Sequence, residues 1–109
     1  SMQRAVQVVA GWGLRWAQMV PNPIRSSNRA SLHYFVEGIV QKAVIRFYDA
    51  AGSLLYSTDQ SPIPGRNEVE WDLHSRSGDA LSNGVYFFRI TLEGSGRRAM
   101  KTGKFAILD

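Results

Sequence analysis

Apolar residues recur at every second position in short stretches of this chain, and each stretch stops at a cluster of turn-forming residues. Successive side chains of a strand point to opposite faces, so a period of two marks strands with one buried face. Leu32, Tyr34 and Val36 alternate with Ser31, His33 and Phe35 until Glu37-Gly38. Ala43, Ile45 and Phe47 alternate with Val44, Arg46 and Tyr48, and Asp49-Ala50-Ala51-Gly52 closes that run. Asp first and Gly fourth suits a type I turn, because the carboxylate bonds local amides and glycine accepts the positive φ that follows. The pattern predicts a hairpin into a strand at residues 53–57. Pro62, Pro64 and Gly65 mark a loop, after which Val69, Trp71 and Leu73 form the next set. Polar turns at 75–79 and 82–84 lead into residues 85–92, the densest apolar strand. Gly94-Ser95-Gly96 then turns the chain back into a last strand over about 101–108.

Upstream, Trp12, Leu14, Trp16 and Gln18 also alternate, before Pro21-Asn22-Pro23. A helix through Val9, Trp12, Trp16 and Met19 would contain Gly11 and Gly13, each costing it about 1 kcal/mol against alanine. A strand is therefore expected. About seven strands with turns roughly every 8–12 residues predict an all-β, immunoglobulin-like (fibronectin-III-like) antiparallel sandwich. Residues 1–20 read as an N-terminal extension and first strand, and residues 21–109 as the sandwich proper.

Composition narrows the function. The 109 residues include no cysteine, so neither a disulfide nor a thiolate metal site is available and packing alone must hold the core. A net charge of +4 arises from 13 basic and 9 acidic residues. The basic residues are scattered from Arg4 to Lys104, with Arg97-Arg98 the one adjacent pair. Without a recognition helix or an aromatic-basic RNA motif, this balance argues against nucleic acid as partner. No apolar run approaches the roughly 20 residues of a membrane-spanning helix, so no membrane insertion is expected.

The order of motifs is familiar. Pro21-Asn22-Pro23-Ile24 precedes the Leu32/Tyr34/Val36 strand and Phe47-Tyr48-Asp49-Ala50-Ala51-Gly52. Glu70-Trp71-Asp72, Ser77-Gly78, Ser82-Asn83-Gly84-Val85-Tyr86-Phe87-Phe88 and Lys104-Phe105-Ala106-Ile107-Leu108 follow. This series resembles the immunoglobulin-like domain named after the flagellar hook-capping protein, the FlgD-like domain. It is also similar to the C-terminal sorting domains of type IX secretion cargo. The sequence has Ile24 where the family often has an aromatic, and Leu73 where it often has glycine. The Trp-Asp segment points to the FlgD-like branch. The resemblance implies a non-catalytic accessory module at the C-terminal end of a larger secreted or cell-surface bacterial protein, serving attachment, assembly or export. The implied partner is a neighbouring domain of the parent protein or a surface or secretion protein.

Residues that look reactive have structural explanations. Trp71 shares parity with Val69 and Leu73, which predicts a core tryptophan, and Asp72 is placed to cap the next turn. Tyr86, just after Asn83-Gly84, matches the tyrosine-corner position. Asp72, His74 and Ser75 or Ser77 suggest a triad, but neighbours at a strand end diverge and no nucleophile elbow is present. No catalytic residue, metal ligand or cofactor is assigned. His33 and His74 lack further zinc ligands and are expected at the surface. Asp49, Asp59, Asp72 and Asp79 are expected in or beside loops as turn formers, without the spacing of a calcium loop.

Two surfaces remain as candidates. Strand parity sends Arg46, Tyr48, Phe87 and Arg89 outward, with Val44 and Val85, as an aromatic patch laced with arginine. It is either a partner-binding face or a face covered by a parent segment or the N-terminal extension. Trp12 and Trp16, four apart on a strand, would share a face about 13 Å apart and could stack sugar rings. Packing of the first strand on the body is the other explanation. The corresponding alternatives in function are a polysaccharide-binding module and a structural spacer.

Overall fold

A computed structural model describes residues 11–25 and 29–109. Val9 and the rest of the predicted extension ahead of Gly11 lie outside the described residues. The seven strands are β1 Gly13–Val20, β2 Ala30–Glu37, β3 Lys42–Asp49, β4 Leu54–Gln60, β5 Gly65–Trp71, β6 Gly84–Gly94 and β7 Arg97–Ile107. They form two antiparallel sheets, of order β1-β2-β5 and β4-β3-β6-β7. With β4 beside β3, this is the fibronectin-III-like arrangement expected of the alternation.

The core follows from parity. Leu32, Tyr34 and Val36 of β2 face Ala43, Ile45 and Phe47 of β3 and Tyr86, Phe88, Ile90 and Leu92 of β6 across the sandwich, all buried. Trp71 stacks on Phe47 at 4.2 Å between ring centroids, and Phe105 meets both rings edge-on. The Tyr86 hydroxyl donates to the Ser82 carbonyl at 2.6 Å, as the tyrosine-corner position predicts.

Turn chemistry sets the hairpins. Asp49 Oδ1 accepts the Ala51 and Ser53 amides, and Gly52 has a φ of 90°. Ser95 and Gly96 both have positive φ, the geometry of a two-residue hairpin turn, so β7 begins at Arg97, earlier than expected. After β1 the chain crosses between sheets. The Ile24 amide donates to the Ala106 carbonyl and its carbonyl accepts the Leu108 amide, pairing this segment parallel to the end of β7.

Burial pushes the Tyr34 phenol from its ordinary value of 10.0 up to about 12. The unfolded chain releases this proton before the folded chain does. The contribution of the group to stability is therefore intact below pH 10 and lost as pH rises towards 12. Across that window the wild-type melting temperature should fall more steeply than that of Tyr34→Phe. Parallel curves would contradict this account.

Candidate functional site

The sheet ladders bring the four predicted patch residues together. On the outer face of the four-stranded sheet, Arg46 of β3 lies directly opposite Arg89 of β6, and Tyr48 opposite Phe87. β4 and β7 extend these rows, because Ser57 pairs with Arg46, Leu54 with Tyr48, Thr102 with Arg89 and Lys104 with Phe87. One row is therefore cationic and the next aromatic. The Arg89 guanidinium sits 5.7 Å from the centre of the Tyr48 ring, a cation–π contact.

Clefts flank this centre. Tyr48, Phe87, Arg89 and Thr102 line one of about 250 Å³, together with Asp49, Ala50 and Gly52 of the turn. A second, of about 300 Å³, runs past Arg46, Arg89 and Met100 over Val44 and Thr91. Val44 and Thr91 are 8% exposed although they point away from the core, because the longer side chains around them cover them. A wider cleft of about 800 Å³ lies between β4 and the loop after β5, lined by Arg46, Tyr56, Ser57, His74 and Arg76 among others. Leu54, Thr102 and Lys104 were not singled out from the sequence. Carrying parity across the two hairpins would have found the last two, but a bulge between Phe47 and Tyr48 hides Leu54.

The two tryptophans do not share a face. A bulge between Leu14 and Trp16 inserts an extra residue in β1, which reverses the parity beyond it. Trp12 packs against the core and donates its indole N–H to the Ile39 carbonyl at 2.8 Å. Trp16 lies on the outer face of the three-stranded sheet against Phe35, with ring centroids 6.1 Å apart and planes tilted by 38°. The expected paired platform is therefore corrected to one indole at the core margin and one on the surface.

The reactive-looking residues are held in turns. The Asp72 carboxylate accepts the His74 amide and the His74 carbonyl accepts the Trp71 indole N–H. Ser75 and Ser77 bond to each other, and Ser77 donates to Asp79. No hydrogen bond joins His74 to either hydroxyl, so these groups do not form a relay. Among the described residues no three His, Asp or Glu side chains cluster in a way that could hold a metal. His33 lies on the outer face of its sheet, half-buried with its side chain 12% exposed between the Arg66 guanidinium and the Glu68 carboxylate, because neighbours on the adjacent strand close over it. One expectation needs correction. Asp59 lies within β4 and pairs with Lys42, so it is not a loop former.

No protein-family profile matches the chain, and no curated protein matches it. Solved structures do share its fold. Dimeric latent PorU from Porphyromonas gingivalis is similar with a TM-score of 0.72 and 24% identity, over 84% of this chain and 9% of that one. PorZ, described as an essential bacterial surface component of the type IX secretion system of Porphyromonas gingivalis, gives 0.61 and 21%, over 85% and 11%. FlgD from P. aeruginosa gives 0.61 and 15%, over 85% and 73%. These neighbours match the resemblance read from the motif order, and the likeness is one of fold. The chain spans about a tenth of the length of PorU and PorZ.

Proposed function

We propose that this domain is a non-catalytic accessory module of a larger secreted or cell-surface bacterial protein. It docks through the outer face of its four-stranded sheet, in attachment, assembly or export. The observation that carries this reading is the juxtaposition of the Arg46–Arg89 and Tyr48–Phe87 rows on a sheet face that no other described strand packs against. Core packing requires none of these four side chains. Aromatic residues and arginine are the types enriched where proteins bind one another. The fold neighbours support the setting, since PorZ is described as a surface component of a secretion system.

The test is made in the full parent protein. Phe87→Ala with Arg89→Ala should weaken its association or surface attachment about tenfold or more, the effect of losing hot-spot contacts. The melting temperature should move by no more than about 2 °C, because both side chains point outward. Unaltered association of a folded double variant would rule the face out. A polysaccharide-binding module would instead show a polysaccharide-dependent mobility shift, but the β1 bulge removes its two-tryptophan platform.

A further inference from the structure

The outer face of the four-stranded sheet carries unbalanced charge. Its two carboxylates are already matched, Asp59 by Lys42 at 3.5 Å and Glu93 by Arg98 at 3.2 Å. Asp49, at the rim, has its Oδ1 occupied by the Ala51 and Ser53 amides. Among the described residues, no carboxylate lies within ion-pair distance of Arg46, Arg89 or Lys104. Moreover, Arg46 and Arg89 occupy directly opposed positions, where like charges destabilise a sheet. Cover for Val44 and Thr91 explains long side chains there. It does not explain two opposed guanidiniums with no carboxylate among the described residues at ion-pair distance; Glu93, which lines a cleft with both, is paired with Arg98.

We infer that this face takes an extended acidic polypeptide segment, a carboxylate of which lies between Arg46 and Arg89 while an apolar side chain two residues away packs on Tyr48 and Phe87. The inference rests on the docking reading above and names its partner's chemistry. Guanidinium is the group best shaped for carboxylate, through paired N–H donors. The cationic and aromatic rows are two residues apart along β3 and β6, about 6.6 Å. Side chains two positions apart in an extended partner share a face and repeat at the same distance, so an acidic residue and an apolar residue two positions on fall on the two rows in step. The cleft between Tyr48, Phe87 and Arg89 offers about 250 Å³ for the apolar side chain. Charge disfavours occupants from this chain itself. The ten residues ahead of Gly11 contain Arg4 and no carboxylate. A second copy docked about a two-fold axis would set the same cations against each other.

The 109-residue chain is titrated into a labelled octapeptide with glutamate and leucine in turn at the odd positions and serine at the even ones, so that both types share one face of the extended peptide, with fluorescence anisotropy as readout. Binding should weaken with added salt. Replacing the peptide's glutamates by glutamine, or the chain's Arg46→Gln with Arg89→Gln, should each weaken it about tenfold or more, while Arg29→Gln, just ahead of β2 in the other sheet, changes it less than about twofold. Equal binding of the two peptides overturns the inference. So does preferential retention of polyuridylate or polygalacturonate, which would assign the cations to another class of polymer. If Phe87→Ala abolishes peptide binding while the arginine variants keep it, the docking face stands and its acidic specificity falls. If the parent protein's association is also indifferent to Phe87 and Arg89, the docking reading itself falls.

Discussion

Replacing Gly103 by alanine should lower the melting temperature by about 10 °C without touching a single outward-facing side chain. Gly103 of β7 lies directly opposite Phe88 of β6. A Cβ at this position would overlap the far edge of the Phe88 ring. The constraint is steric, since Gly103 is not among the residues with positive φ. Phe88 is 2% exposed and sits between the two sheets, so its ring has nowhere to swing. Overpacking of this kind costs about 1–3 kcal/mol, and a domain of this size loses roughly 4 °C per kcal/mol. Adding Phe88→Leu to Gly103→Ala should recover part of the loss. A single variant melting within about 2 °C of wild type would show that the ring is not confined as described.

Truncating Trp71 should be costlier still, about 3–5 kcal/mol. The indole belongs to the three-stranded sheet, while its ring partners all belong to the other. Phe47 stacks on it at 4.2 Å, Tyr56 at 5.9 Å, and Phe105 meets it edge-on at 6.4 Å. Trp71→Ala removes the piece that joins the two sheets at this end and also leaves the His74 carbonyl without its indole donor. Trp71→Phe keeps the stack and should lose about half as much, since less volume is vacated. Urea midpoints of the three proteins measure this. A midpoint for Trp71→Ala equal to wild type would mean that the ring serves a ligand and not the core.

The parts of this fold legible in the sequence are those set by local rules. Leu32, Tyr34, Val36, Ala43, Ile45 and Phe47 announce their burial because alternation in a strand is a two-residue property. Asp49 and Gly52 announce their turn because a carboxylate bonds amides only a few residues away. The same parity sent Arg46, Tyr48, Phe87 and Arg89 outward, where the ladders hold them side by side. What stayed hidden depends on neighbours distant in sequence or on a break in the period. The β1 bulge adds one residue without a compositional mark, and it separates Trp12 from Trp16. His33 gives no local sign of its partial cover, because Arg66 and Glu68 come from another strand. Leu73 shares parity with Trp71 and is buried, yet it lies beyond the end of β5 with a φ of 62°. That is the position where FlgD-like sequences often have glycine, so side-chain burial here outweighs about 1–2 kcal/mol of backbone strain. That no carboxylate among the described residues pairs with Arg46 or Arg89 is visible only once the ion pairs on the neighbouring strands are known.

With the other conspicuous residues accounted for by the core, the proposed docking would take place on the outer face of the four-stranded sheet. Hydroxyl-radical footprinting tests this most directly, because aromatic side chains report their own exposure. Modification of Tyr48 and Phe87 is compared between the isolated chain and the parent protein in its assembled state, with Trp16 and Phe35 as the reference pair on the opposite sheet. Docking through this face requires that Tyr48 and Phe87 react in the isolated chain and are protected on assembly, while Trp16 and Phe35 react equally in both. Protection of Trp16 and Phe35, with Tyr48 and Phe87 still reactive, would contradict it and place the partner on the other sheet.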